Sequence, residues 1–464
     1  TGASPTAVDV VMFWNRSTTD DETAAPIYVP RASVLPPRIE RGHYPGPDWA
    51  LWNGFNQNIG VVGKAALGAW TIKTGLFHSL NRSRSSFSNI FDGIDEAGEA
   101  DRIVYADPPS RSRSYSGEFR ASRAFAEGGR RHLVLFSLRG RDVVETWGGS
   151  DRADLGRVPI GEIVNPAKPA FRFSEQTRDG VKHLTGGLSY TLAWGEFLTY
   201  SAGVQRTHYK KSVHAPEQAA KDRKTDKWLP STALTVRLAP DWVAYGSYTK
   251  GLEENGQAPD YAANRLEVLP ALLTRQYDAG IKWSPFPSTS LIAGYFDIRK
   301  PYFSLDQNNV YRDLGEVSHS GFEVSVSDHS LPGLKVVGGA FLQRPRVSYA
   351  PGAAAAGRRP VGQPQVSLEM NVDYRLPFCE GLSVGGSVLH TGKVAATVRN
   401  DLFIPGYTTL SLGARYAFDL GRAPASLRVS VANVTNKYTW LSVGSGAFEP
   451  LDPRSVTAYL TVDL

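Results

Sequence analysis

Residues Val366 to Tyr374 read Val, Ser, Leu, Glu, Met, Asn, Val, Asp, Tyr. Successive side chains of a strand point to opposite faces, so Val366, Leu368, Met370, Val372 and Tyr374 share one side and Ser367, Glu369, Asn371 and Asp373 the other. The same period of two returns along the chain. Tyr277, Ala279, Ile281 and Trp283 oppose Thr274, Gln276, Asp278 and Lys282, and Leu410, Leu412, Ala414, Tyr416 and Phe418 oppose Thr409, Ser411 and Arg415. A sandwich would bury one face of each strand dry, and unpaired ions there cost several kcal/mol each. Glu369, Asp373, Lys282, Asp278, Arg415, Arg139 and Arg141 therefore point to a wet or protein-filled interior and an apolar exterior. That is the pattern of an all-β chain folded as a large antiparallel transmembrane β-barrel.

Composition is consistent with this reading. The chain has 464 residues, 41% of them hydrophobic, with a mean hydropathy of -0.27. No apolar run approaches the roughly 18 residues of a membrane helix, which excludes a helical membrane protein but not a barrel, whose lipid-facing residues are only every second one. Trp194, Trp242, Trp283 and Trp228 are expected near strand ends, where an interfacial girdle uses amphipathic rings. The single cysteine, Cys379, sits in a turn-like stretch, so no disulfide framework is expected. A charge of +6 over this length does not indicate nucleic acid; it suits acidic ligands or anionic lipid heads. Thr1 is not a start methionine and no secretory signal opens the chain, so a mature protein or a piece of a longer one is expected.

Alternation bounded by Gly, Pro, Asp and Asn gives about 18 strands. Short joints are expected near 67–69, 127–129, 195–196, 239–241, 284–288, 331–333, 378–381 and 420–424. Long polar loops are expected at 18–54, 83–111, 143–169, 253–270, 345–363 and 441–453. Short periplasmic turns alternating with long extracellular loops are what an outer-membrane barrel shows. Ala353–Ala356 and the paired arginines beside them read as a low-complexity loop. Alternation persists to Leu464, so the last strand should close on an early one, the earliest being Val8 to Trp14.

Motifs of catalysis are missing. There is no G-x-S-x-G elbow, no H-E-x-x-H, no zinc-spaced Cys and His, and no phosphate loop. Asp20, Asp21 and Glu22 form an acidic knot in an expected loop, without the spaced ligands of a calcium site. Asn433-Val434-Thr435 matches a glycosylation pattern too short to carry weight. No enzyme, metal site or cofactor is expected.

The C-terminal half resembles the barrel of TonB-dependent outer-membrane receptors, especially the ferric-siderophore type. DWVAYGSYTKGL from Asp241 and LPALLTRQYDAGIKW from Leu269 are similar to a strand, loop and strand of that family. LIAGYFDIRKPYF from Leu291, LGEVSHSGFEVSVS from Leu314, LRVSVANVTNKYTW from Leu427 and PRSVTAYLTVDL from Pro453 follow in the family's order. The resemblance is close from Asp241 onward and looser over His132 to Tyr209. Leu464 stands where the family usually ends in Phe, and the family's plug and TonB box are expected upstream of Thr1.

The resemblance implies that 1–464 is a barrel domain truncated at its N-terminus, with about 18 strands of a family barrel of about 22. It implies a multi-pass protein of the bacterial outer membrane that binds a ferric siderophore at its extracellular loops and imports it with energy from TonB. The implied partners are the siderophore, the TonB–ExbB–ExbD system through an N-terminal region, and outer-membrane lipid and lipopolysaccharide around a monomer, with no nucleic acid. The iron chelate is cargo, not a cofactor. Rigid rings and guanidinium forks suit a planar anionic chelate, which makes Tyr44, Trp49, Trp52, Trp147, Arg152, Tyr261, Arg265, Tyr302 and Arg358 the loop candidates. Haem fits less well, because no histidine lies between Lys250 and Ser318. The alternatives are a passive porin, a receptor for a vitamin, haem or oligosaccharide, and a binding or adhesion barrel without transport.

Overall fold

Period-two alternation lets a strand face lipid on one side and water on the other while the backbone satisfies its hydrogen bonds with its neighbours. The computed structural model describes residues 8–216, 218–350 and 357–463. Its wall runs in chain order through Val8–Thr23, Leu51–Leu67, Trp70–Ile94, Ser110–Glu127, Arg130–Trp147, Thr177–Trp194, Leu198–His214, Lys221–Ala239 and Trp242–Glu253. It continues through Leu272–Trp283, Thr289–Leu305, Tyr311–Asp328, Leu334–Tyr349, Val366–Arg375, Leu382–Thr391, Tyr407–Leu420, Ala423–Ala432 and Ser455–Val462. Each strand is antiparallel to the next. Among the described residues, seven further strands lie above this wall or between its members.

The register keeps the alternation coherent from strand to strand. Leu368 pairs with Ala340 on one side and His390 on the other, and Ile281 pairs with Ala244 and Ala293. Tyr277, Ile281, Trp283, Leu368, Met370, Leu412 and Tyr416 are all exposed, on the face assigned to lipid. The opposite face carries the charges. Lys335, Asn371, Asp373, Ser383, Arg415 and Arg428 line one inward cavity of about 510 Å³. Among the described residues the wall has no dry centre between sheets; nearly all the clustered buried apolar side chains lie at its extracellular end.

The eight short joints are turns at one end of the wall. Gly128 and Gly129 form one of them with φ of 56° and 77°, a left-handed pair that a side chain would disfavour. Trp70, Trp194, Trp242 and Trp283 lie beside these turns and are exposed, and Trp242 stacks on Trp283 at 5.4 Å. Trp228 differs from expectation. It lies well inside Lys221–Ala239, because that strand continues beyond the membrane, and Arg206 sits over its ring at 5.3 Å. Cys379 occupies the turn between Arg375 and Leu382 as a free thiol.

Three expectations need correction. The segments 18–54, 83–111 and 143–169 are not simply loops: Trp70–Ile94 is 25 residues long and its upper part pairs with Glu99–Asp107, which pairs with Asp151–Pro159. A transmembrane strand needs only about 9–11 residues, so polar strand ends stand clear of the bilayer and read as loop. The acidic knot is likewise in strand: Asp21 has a φ of 57° at a bulge in Val8–Thr23, and Asp20 pairs with Arg84 at 2.6 Å.

Closure also differs. Ser455–Val462 pairs with Ala423–Ala432, and Val8–Thr23 with Leu51–Leu67; among the described residues no ladder joins the first strand to the last. Alternation specifies the face a strand presents, not the strand its free edge meets. The Ala353–Ala356 run and Leu464 lie outside the described residues.

Candidate functional site

The long connections meet above the wall in a layer with its own dry core. Ile27–Pro30 runs parallel to the top of Trp70–Ile94, with Tyr28 beside Phe91, and on its other side Tyr28 pairs with Phe448 of Ala447–Pro450. Tyr28, Phe91, Ile94, Ala100, Val394, Ala396, Ile404, Trp440 and Phe448 are buried together. Tyr28 stacks on Phe91 with centroids 5.0 Å apart, and Trp440 Nε1 donates to Pro36 O at 2.9 Å. Burial pushes the Tyr28 hydroxyl up.

This layer bridges the seam that the strands leave open. Arg41 donates to the carbonyls of Leu451 at 2.6 Å and Lys437 at 3.0 Å and to Asn436 Oδ1 at 2.9 Å. Its guanidinium stacks on Tyr438, whose hydroxyl accepts from Ile39 N. Asn433 is buried, with its amide donating to Lys437 O and Asp452 O, so the glycosylation pattern is a structural cap and not an accessible acceptor.

Arg102 is fully buried over the Phe91 ring at 4.2 Å, donating to Asn89 Oδ1 at 3.1 Å. Burial lowers its pKa to about 10, while Tyr44 and Tyr28 oppose the shift. The ring holds a cation that has little other compensation, since among the described residues Nε and Nη1 find no partner.

The nine sequence candidates do not form one site. Tyr44 and Trp49 are built into the layer: the Tyr44 hydroxyl donates to Ala50 O and accepts from Asn89, and Trp49 packs on Phe87 and Phe171 with Nε1 donating to Pro166 O. Trp52, Trp147, Arg152 and Tyr302 were expected in loops but lie in strands, because those strands project above the membrane. Arg265 and Arg358 are exposed in loops, their carbonyls accepting from Lys221 Nζ and Val347 N.

Tyr261 and Tyr302 both lie in the neighbourhood of Tyr311. Tyr261 is 72% exposed, and Tyr302 meets Tyr349 edge to face at 5.8 Å. Tyr311 is pushed up by burial and by both Tyr261 and Tyr302 nearby. A patch of four tyrosines thus spans three neighbouring connections. Tyr311 and Tyr349 were missed by sequence reasoning, although each borders a turn-rich segment.

Beneath the layer, the inner wall has a polar pocket of about 490 Å³ lined by Arg120, Arg139, Arg141, His183, Tyr209 and Glu254, among others. Arg141 pairs with Glu254 at 2.7 Å, tying the loop that follows Trp242–Glu253 to the wall, and buried Lys211 pairs with Asp179 at 2.9 Å. Arg139 reaches Gln205 Oε1 at 3.2 Å. Rings above and guanidinium groups below can accept a large polar, ring-bearing solute by stacking and charge-assisted hydrogen bonds.

An apolar outer face, a charged inner face, tight turns at one end and a structured layer at the other define a bacterial outer-membrane β-barrel with a capped mouth. The chain belongs to the family described as TonB dependent receptor-like, beta-barrel, which it matches over residues 9–436, so it is a barrel of the bacterial outer membrane from a family of transport receptors. It is 28% identical to the ferrichrome receptor FcuA of Yersinia enterocolitica over 246 residues, 51% of this chain and 32% of that one. It is 23% identical to the ferrioxamine B receptor of Salmonella typhimurium over 40% of this chain and 29% of that one. The matches thus span about a third of the length of these relatives. Among solved structures, BauA, the ferric preacinetobactin receptor of Acinetobacter baumannii, superposes with a TM-score of 0.81 at 18% identity, over 98% of this chain and 70% of that one.

Proposed function

We propose that this chain is the barrel portion of a longer receptor that binds a ferric siderophore at its extracellular layer and imports it with energy transmitted by the TonB system. The observation that carries the reading is the match to the receptor barrel over 9–436, together with matched relatives that are receptors for ferrichrome and ferrioxamine B. The tyrosine patch Tyr261, Tyr302, Tyr311 and Tyr349 is the capture surface, and the pocket around Arg139 and Arg141 is the next contact inward. In this reading a plug and a TonB-contacting segment belong to the N-terminal part of the whole receptor, since a lumen of this width would otherwise leak. The protein works as a monomer in outer-membrane lipid and lipopolysaccharide, and it performs no catalysis.

The test is growth on single iron chelates. Cells lacking the gene should fail to grow on one ferric siderophore as sole iron source, and complementation should restore growth only when TonB is functional. Growth restored equally without TonB would favour a passive pore. Replacing Tyr261 and Tyr302 by Ala should weaken chelate binding about tenfold or more, since each buried ring contact contributes about 0.5–1.5 kcal/mol beyond its area.

A further inference from the structure

Beside the tyrosine patch, two consecutive extracellular connections carry positive charge that no acid answers. The connection 350–365 holds Arg358 and Arg359 and no Asp or Glu, and the next, 392–406, holds Lys393 and Arg399 against the single acid Asp401. Asp401 is already committed to Arg399 at 3.0 Å, to Thr397 and to Ser33. Among the described residues no carboxylate pairs with Arg358, Arg359 or Lys393. Elsewhere around the patch, Lys300 is answered by Glu253 at 3.0 Å and Arg312 by Asp306 at 2.6 Å.

The unanswered charges are held in place. Arg359 N donates to Asn400 Oδ1 at 2.8 Å and Asn400 Nδ2 donates to Arg359 O at 2.9 Å, while Gly357 N donates to Val398 O at 2.8 Å and Gly362 N to Ala395 O at 2.9 Å. These clips seat 357–362 on a segment whose Val394, Ala396 and Ile404 are buried in the core of the layer. Lys393 Nζ lies 4.2 Å, and the Arg359 guanidinium 5.6 Å, from the centre of the Phe403 ring, and Phe403 is itself paired with Ala395. An aromatic face attracts each cation but supplies no net charge, so two like charges share one ring without a counterion. Tyr349 joins this platform to the patch: its hydroxyl donates to Gly357 O at 3.0 Å and its ring meets Tyr302.

We propose that this receptor selects ferric chelates of net negative charge, and that a carboxylate not spent on the iron bridges Arg359 and Lys393 while the body of the chelate lies on Tyr302 and Tyr349. The inference rests on the receptor reading above and adds to it the charge class of the ligand. A carboxylate between the two cations turns their repulsion into attraction and accepts the paired N–H groups of the guanidinium. A neutral chelate reaches the tyrosines but leaves the two charges opposed, and a cationic one adds a third. Because the clips fix the backbone at Arg359 and the ring engages both side chains before the ligand arrives, less ordering is left to be lost on binding.

One iron-binding core in three charge states isolates the effect of charge: ferrioxamine B with its free cationic amine, its neutral N-acetyl derivative and its anionic N-succinyl derivative. Ferric dicitrate serves as an anionic chelate of another shape. The whole receptor, purified from outer membranes in detergent and checked by heat-modifiable electrophoretic migration, is titrated with each, and binding is read by equilibrium dialysis. The N-succinyl chelate should bind at least about tenfold more tightly than the N-acetyl one, as one charge-assisted contact implies, and the free amine should bind weakest. The combined Arg359→Gln and Lys393→Gln substitutions should bring the three affinities together, whereas Arg359→Lys with Lys393→Arg should keep their order, which a purely structural role would not. Equal affinity for the three charge states would overturn the proposal, as would an unchanged preference in the Gln variant. If ferric dicitrate is the one probe that binds, loss of its binding in the Gln variant upholds the proposal and persistence overturns it. Binding of none of the four would also overturn it, and growth on another ferric chelate would then still uphold the receptor reading, so the two fail separately.

Discussion

The strand Trp70–Ile94 obeys two rules along its length. In its lower part Leu76 is 61% exposed and faces lipid, while near its top Phe91 is wholly buried against Tyr28. The same contrast separates the whole wall from the layer above it. The wall keeps its ions inside and its apolar groups outside, and its cohesion comes from strand-to-strand hydrogen bonds that have no competing water in hydrocarbon. The layer is built like a small water-soluble domain, with apolar groups inside and ion pairs on its rim, such as Arg157 with Asp95 and Asp101. One chain therefore has two stabilities. Damage to one region should leave the other recognisable.

The sharpest way to break this separation is Trp440→Ala. Removing a buried indole that contacts Tyr28 and donates to Pro36 should destabilise the layer by about 3–5 kcal/mol, exposing the loops to limited proteolysis while heat-modifiable barrel migration persists. Loss of barrel folding in that variant would show that layer and wall fold as one unit. Ile281→Lys is the converse test. Ile281 faces lipid two residues in from the interfacial Trp283, and a lysine there should cost about 1–2 kcal/mol, between the interfacial and the mid-bilayer values, lowering the yield of assembled barrel. Normal assembly would mean that this face does not meet hydrocarbon.

Arg41→Ala probes the bridge across the open seam. It removes hydrogen bonds to Lys437 O, Leu451 O and Asn436 Oδ1, and at roughly 1.5–3 kcal/mol it should speed hydrogen exchange in 27–41 and 436–452 without affecting the turns at the other end. The smallest effect is a pH dependence of the layer. Asp401 accepts from Thr397 at 2.5 Å and Ser33 at 3.0 Å, and Arg399 lies beside it. These hold its carboxyl below the usual 3.8, so the unfolded chain binds the proton more readily than the folded one. The stabilisation is complete above pH 3.8 and is lost as pH falls through the lower folded value. Asp401→Asn should flatten the acid dependence of loop proteolysis, and an unchanged profile would assign that dependence to other carboxylates.

The wall was legible because its rule is local. Val366 to Tyr374 alone shows which side chains meet lipid and which meet the lumen, and the ladder carries that assignment to Ala340, Gly338, Val388, Val336 and Gly386 opposite Leu368, Met370 and Val372, with His390 the one polar partner. The tight turns were readable for the same reason, since each is set by a few residues with turn chemistry. The candidate site was much less legible. Aromatic and Arg residues could be found in polar segments, but whether Trp49 is exposed or packed against Phe87 and Phe171 depends on residues 38 and 122 positions away. Tyr311 and Tyr349 border turn-rich segments, but that alone did not single them out, because their significance is the company of Tyr261 and Tyr302.

By itself the sequence determined the face each strand presents and the end at which the long connections lie, because alternation and turn chemistry act between residues that are neighbours in the chain. Only the tertiary structure decided that the connections assemble into a layer with a dry core, that Tyr28 and Phe448 meet 420 residues apart, and that Arg359 and Lys393 from separate connections share the Phe403 ring. Those outcomes depend on register and on the packing of distant segments, which no local pattern encodes.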